Sequence, residues 1–274
     1  MITSPKTLHD YRQELHTSKS QIKTFLMCPQ KYAYQYVMGK EWERKSAALS
    51  FGSAIHNAVA NYYITLMNEG NPLSVGEIQD SFINAWTLEL KGDIALDFNG
   101  NGPDEMLDLG KRMLQVFAEN IKPRTIEAVE LPFSVPLVDP KTGEISPIKL
   151  VGAFDLIESD EDNNHIITEL KTASRKWTDG QVETELDSAV YSYAFSEMGY
   201  TTNGGETLVR FDVLLKTKKP TLETYFTTKT EKDRIKMLSL ITKVLRAIES
   251  GAFYPNHGWQ CQGCPFQKQC SEGI

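Results

Sequence analysis

Two carboxylates and a lysine are set to meet across one predicted hairpin. Ile148 to Glu158 and His165 to Thr172 are rich in β-branched and aromatic residues. They flank Asp160 to Asn164, an acidic, Asn-rich stretch suited to a turn. A loop closed by Ser159 and His165 places Asp155 directly opposite Glu169, and Lys171, two residues on, shares that face by the period of a strand. Neighbouring carboxylates repel one another unless a cation lies between them, so the pair suggests a hard divalent metal. Metal, water and lysine together are the parts of phosphodiester hydrolysis. The plain alternative is a surface hairpin decorated with a Glu and a Lys.

The second constellation is made of the chain's 4 cysteines: Cys28 alone, then Cys261-x-x-Cys264 and Cys270 near the other end. Disulfides are rare in a reducing cytoplasm, so this spacing points to one four-thiolate metal site, with zinc or iron-sulfur equally suited to it. The cytoplasm is the expected compartment. Met1 to Leu15 is too charged for a signal-peptide core, and no apolar run approaches the roughly 18 to 20 residues of a membrane span. A net charge of -7 excludes coating of nucleic acid by bulk positive charge but leaves room for a local basic groove.

The elements that must position these residues follow from periodicity. Ser18 to Val37 opens on cap residues and reads as two short helices joined at Cys28 and Pro29. Phe51 to Met67, Glu77 to Leu90 and Glu105 to Ile121 are amphipathic helices, with loops near Gly70 to Pro72 and Asn99 to Pro103. After Pro123 the pattern turns to β, with Ile126 to Val138 ahead of the hairpin. A helix over Val182 to Met198, strands over Thr207 to Leu215 and Leu222 to Thr227, and a helix over Glu231 to Ile248 complete the chain before its Cys-rich tail. With 274 residues, 41% of them hydrophobic, one large core is feasible.

Gly152-Ala153-Phe154-Asp155 followed by Glu169-Leu170-Lys171-Thr172 resembles the Gly-x-x-Asp and Asp/Glu-x-Lys-Thr motifs of the PD-(D/E)xK nuclease superfamily. Gly52-Ser53-Ala54-Ile55-His56 resembles the Gly-x-x-x-His helix of its RecB-like branch. The cysteine arrangement resembles that branch's iron-sulfur subgroup, which includes AddB-type and CRISPR-associated exonucleases. The motifs occur in the family's order and span residues 20 to 270.

The resemblance implies an α/β, restriction-endonuclease-like mixed sheet flanked by helices. It implies one nuclease domain over 1–274: a helical region over 18–122 carrying Cys28 and His56, a catalytic sheet core over 123–230, and a C-terminal helix with Cys-rich tail over 231–274. His56, Asp155, Glu169 and the Leu170 carbonyl become ligands of Mg²⁺ or Mn²⁺, with Asp155, Glu169 and Lys171 catalytic. Cys28, Cys261, Cys264 and Cys270 become ligands of a 4Fe-4S cluster that clasps the helical region to the tail, zinc being the lesser alternative. The implied activity is that of a DNA exonuclease on single-stranded ends. In the family's Gln-x-x-x-Tyr motif, Tyr191 matches but Asp187 stands where the Gln belongs.

Other readings stay open beside this one. His56 taken alone is an ordinary helix histidine. Tyr32, Tyr34 and Tyr36 are either helix packing or a base-stacking platform. Tyr191, Arg175 and Lys176 are the candidate DNA contacts, with Lys216, Lys218 and Lys219 as further phosphate contacts. No Gly-x-x-x-x-Gly-Lys-[Ser/Thr] phosphate loop is present, so the chain is either a stand-alone nuclease or a subunit that borrows a motor, with a helicase, CRISPR-integration or recombination protein as the partner in the second case and no membrane in either. The competing functions are a non-catalytic DNA-binding or recombination accessory protein, and a structural zinc protein with a decorative hairpin.

Overall fold

The computed structural model describes residues 6–200 and 205–272. A turn of helix, α1 (Leu8–Tyr11), and a two-residue strand, β1 (His16–Thr17), precede α2 (Lys19–Met27), which Ser18 caps by accepting from the Gln21 N–H. Cys28 ends α2 in an extended conformation and starts α3 (Pro29–Tyr32), whose last turn widens into a π-helix over Ala33–Val37. A paired β2 (Lys45–Ser46) and β3 (Leu96–Asp97) bracket α4 (Ala47–Glu69) and α5 (Val75–Leu90), and α6 (Pro103–Asn120) follows. Then come β4 (Thr125–Val135), β5 (Lys149–Ser159), β6 (His165–Ala173), α7 (Asp179–Thr184), α8 (Leu186–Glu197), β7 (Thr207–Leu215), β8 (Leu222–Lys229), α9 (Glu231–Glu249) and α10 (Gln267–Glu272).

The central sheet runs β4-β5-β6-β7-β8, with β1 extending the edge of β5 in parallel. It is mixed: β6 and β7 are parallel and the remaining long pairs antiparallel. One face buries Phe154, Ile157, Val209 and Phe211 against α2, α8 and α9, through Ile22, Phe25, Tyr191, Phe195 and Ile241. The other buries Leu156 and Leu214 against Phe51, Ile55, Phe82, Trp86 and Phe117 of α4, α5 and α6. This is the expected mixed sheet between helical layers. Among the described residues no helix is long and apolar enough to cross a membrane.

The hairpin closes as expected on Ser159 and His165, but its ladder stops at Leu156 and Thr168. Beyond that point β6 continues along β7 as far as Ala173 and Leu215. Asp155 and Glu169 are therefore not a ladder pair; instead an Asp155 side-chain oxygen accepts the Leu170 N–H at 3.0 Å. The expected helix over Val182 to Met198 is broken in two by Glu185, whose φ of -63 and ψ of 120 leave the helical region. The tail returns to α2 and α3 through direct contacts: Gln30 N–H to Tyr254 O at 3.0 Å, Asn256 Nδ2 to Met27 O at 2.9 Å, and Tyr34 against Phe266.

Candidate active site

His56 projects from α4 onto the sheet, where its Nε2 lies 2.9 Å from Asp155 and its Nδ1 lies 3.5 Å from Glu130. Glu130 was not anticipated. It sits in β4 at a φ of 51, a left-handed conformation costly for a residue with a side chain, between ladder pairs Val129–Leu156 and Leu131–Phe154. It therefore lies across from Asp155. The three side chains each offer one ligand atom, all within 4.8 Å of one another. One imidazole and two carboxylates are a donor set that Mg²⁺ or Mn²⁺ accepts.

Charge pairing tunes the group. Burial pulls the His56 imidazole down, but the hydrogen bond to Asp155 and the charges of Asp155, Glu130 and Glu169 outweigh it and lift the group to about 9. Burial raises Asp155, yet His56 and the lysines Lys19 and Lys171 carry it below the usual carboxylate range. Glu130 moves up, through burial first and then through Asp155 and Glu169, against the opposing pull of His56.

Glu169, 2% exposed, turns to a second cluster. Its Oε1 accepts from Lys171 at 2.5 Å and from Lys19 at 2.7 Å, and its Oε2 accepts from the Tyr191 hydroxyl. Lys171 also donates to Asp187 at 2.6 Å. Desolvation opposes the Lys171 charge, but Glu169 and Asp187 more than compensate and raise it. Lys23 reaches the other Asp187 oxygen at 2.6 Å. Asp187, buried and depressed by Lys19, Lys171 and Lys23, thus does at the Gln position what an amide could not: it shares one negative charge among three ammonium groups.

The structure brings His56, Asp155, Glu169, Leu170 and Lys171 to one open cleft of about 730 Å³. Tyr191, expected at the DNA, is instead fully buried at 0% exposure, its ring 4.4 Å from the Lys19 ammonium and its hydroxyl on Glu169. Its place is behind the carboxylate. Lys176, exposed, pairs with Glu223 at 2.8 Å, and Arg175 is exposed on the same loop. Cys28, Cys261, Cys264 and Cys270 are unbridged and line a separate cavity of about 220 Å³. Lys19, like Glu130, was missed: no local pattern ties it to Glu169, 150 positions away.

A mixed sheet between helical layers, with a His–carboxylate donor set beside a buried Glu–Lys pair at an open cleft, defines an α/β protein with a candidate metal site. The chain belongs to the PD-(D/E)XK nuclease superfamily, whose sequence model matches residues 16–271. Among solved structures it is similar to a protein of Eubacterium rectale described as a "putative exonuclease", at 13% identity and a TM-score of 0.54, over 100% of this chain and 94% of that one. A structure described as SSO0001 aligns at 14% identity over 90% of this chain and 95% of that one, with a TM-score of only 0.37. No curated protein matches the sequence.

Proposed function

We propose that the protein is a Mg²⁺- or Mn²⁺-dependent deoxyribonuclease of the RecB-like branch, acting as an exonuclease on single-stranded ends. The observation that carries this reading is the His56–Glu130–Asp155 donor set, of which His56 and Asp155 open on the same cleft as Glu169 and Lys171. The designation of the Eubacterium rectale neighbour accords with the exonuclease class. Glu169 and the Leu170 carbonyl are the further ligands in this reading. A divalent ion held by these residues would supply Lewis-acid polarisation of a phosphoryl oxygen and a neighbouring water of lowered pKa. The chain's own residues do the rest. Lys171, fixed between Glu169 and Asp187, presents its ammonium to the attacking water or to the charge growing on the scissile phosphate. Tyr191 and Lys19 hold Glu169 in one orientation, and Arg175 and Lys176 meet the strand outside the cleft.

The four thiols form, in this reading, a structural 4Fe-4S site. Cys28, Cys261, Cys264 and Cys270, all unbridged, line one cavity, an arrangement that suits four-thiolate ligation, and the resemblance to the iron-sulfur subgroup favours the cluster over zinc. Anaerobically purified protein should be brown and should lose that colour on Cys264→Ser; a colourless protein containing zinc overturns the cluster assignment. For the chemistry, an end-labelled single strand incubated with Mg²⁺ or Mn²⁺ should shorten from one end. Lys171→Ala and Glu169→Ala proteins that keep Mn²⁺-dependent cleavage would sink the catalytic assignment.

A further inference from the structure

Three lysines line the candidate active-site cleft, and two of them are already committed. Lys19 is held by Glu169 at 2.7 Å and Asp187 at 3.7 Å, and Lys171 by the same two carboxylates at 2.5 and 2.6 Å. His56 is likewise committed to Asp155 and Glu130. Lys216 differs. It is the first residue past β7, and its N–H donates to Ala173 O at 2.7 Å, fastening it beside the end of the strand that carries Glu169 and Lys171. It is partly buried, and among the described residues no carboxylate pairs with its ammonium. Desolvation alone acts on it and pulls it down.

A half-buried cation without a partner is unfavourable, and an anion that seats against it recovers the loss. The cleft otherwise presents carboxylates whose charge is cancelled internally, so among the described residues a strand of phosphodiesters entering it finds one uncommitted positive charge. We propose that Lys216 is a phosphate-binding residue, holding a non-scissile phosphodiester of the DNA strand next to the bond that is cut. This rests on the nuclease reading above. The rival role is a lysine whose stem packs on the sheet while its ammonium reaches water.

The test is binding of a fluorescently labelled oligothymidylate in EDTA, read by anisotropy across a salt series. Removing one phosphate contact from a single strand should flatten the plot of log affinity against log salt by about 0.7, or about fivefold in affinity between 1 M and 0.1 M. Lys216→Gln should show that loss, Lys216→Arg should not, and both should melt like the wild type. A single methylphosphonate walked along the oligonucleotide should weaken wild-type binding at one position beside the cut, and should leave Lys216→Gln unaffected there. In Mn²⁺, Lys216→Gln should raise KM and spare kcat. A Lys216→Gln protein with the wild-type salt slope and methylphosphonate profile overturns the proposal while leaving a DNA-cutting wild type intact. A wild type that neither binds nor cuts single strands brings down the nuclease reading itself.

Discussion

Replacing Gly152 by alanine asks whether the glycine of the Gly-x-x-Asp spacing serves packing or chemistry. A Cβ there would lie 2.5 Å from the Phe133 Cζ and 3.0 and 3.1 Å from the two ε carbons of the same ring, because Phe133 is its partner across the β4–β5 ladder. Phe133 cannot retreat. It is 1% exposed, and its ring centroid lies 4.9 Å from that of Phe154 and 6.4 Å from that of Tyr191, the residue that holds Glu169. Overpacking of this kind costs about 1 to 3 kcal/mol. The alanine recovers about 0.4 to 1 kcal/mol by stiffening the unfolded chain, so a net loss of about 1 to 2 kcal/mol is expected. In a chain of this size that lowers the melting temperature by about 2 to 8 °C. Gly52, the glycine of the Gly-x-x-x-His helix, is the control. A Cβ there meets only Thr172 Oγ1 at 3.6 Å, an ordinary contact, so Gly52→Ala should gain stability through helix propensity. Circular dichroism melts and urea titrations of both proteins decide the matter, with Phe133→Leu added to Gly152→Ala as a rescue. A Gly152→Ala protein that melts at or above the wild type, or a Phe133→Leu loss that simply adds to it, refutes the reasoning.

Tyr191→Phe removes the hydroxyl that donates to Glu169 and accepts from Lys19. A hydrogen bond to a charged group contributes about 1.5 to 3 kcal/mol, so the urea midpoint should fall, and kcat should fall while KM holds; kcat within twofold of wild type would show that Glu169 needs no such support. His56 makes stability depend on pH. Its folded-state value of about 9 lies above the ordinary 6.5, so its contribution is full below pH 6.5 and is lost as pH rises through 9. A shift of about 2.5 units corresponds to about 3.4 kcal/mol, which the ring's partial exposure screens to about 1 to 2 kcal/mol. Urea denaturation in EDTA at pH 6 and pH 9.5 should show that difference for the wild type and a smaller one for His56→Gln; equal slopes for the two proteins would remove the His56–Asp155 pair as its cause.

What the sequence made legible was whatever a short-range rule could reach. The turn over Asp160 to Asn164 fixed the closing pair of the β5–β6 hairpin, and with it the nearness of Asp155, Glu169 and Lys171. Glu130 escaped because its place opposite Asp155 depends on the β4–β5 register, and the two strands are joined by a long irregular segment from Pro136 to Ile148 that sets no such rule. Its only local mark is a carboxylate among apolar strand residues just before Pro132, and the backbone turn to a φ of 51 has no signature in the residue type. The charge pairing escaped for a related reason. Lys19 and Lys23 reach Glu169 and Asp187 from α2, far away in the chain, and the break at Glu185 that divides α7 from α8 accompanies a Lys23–Glu185 pair. An Asp at position 187 looks like a lost Gln until the three lysines around it are visible. Asp187 and the lysines therefore explain one another: three ammonium groups gathered at one buried position require negative charge nearby, and an aspartate supplies it where a glutamine could not.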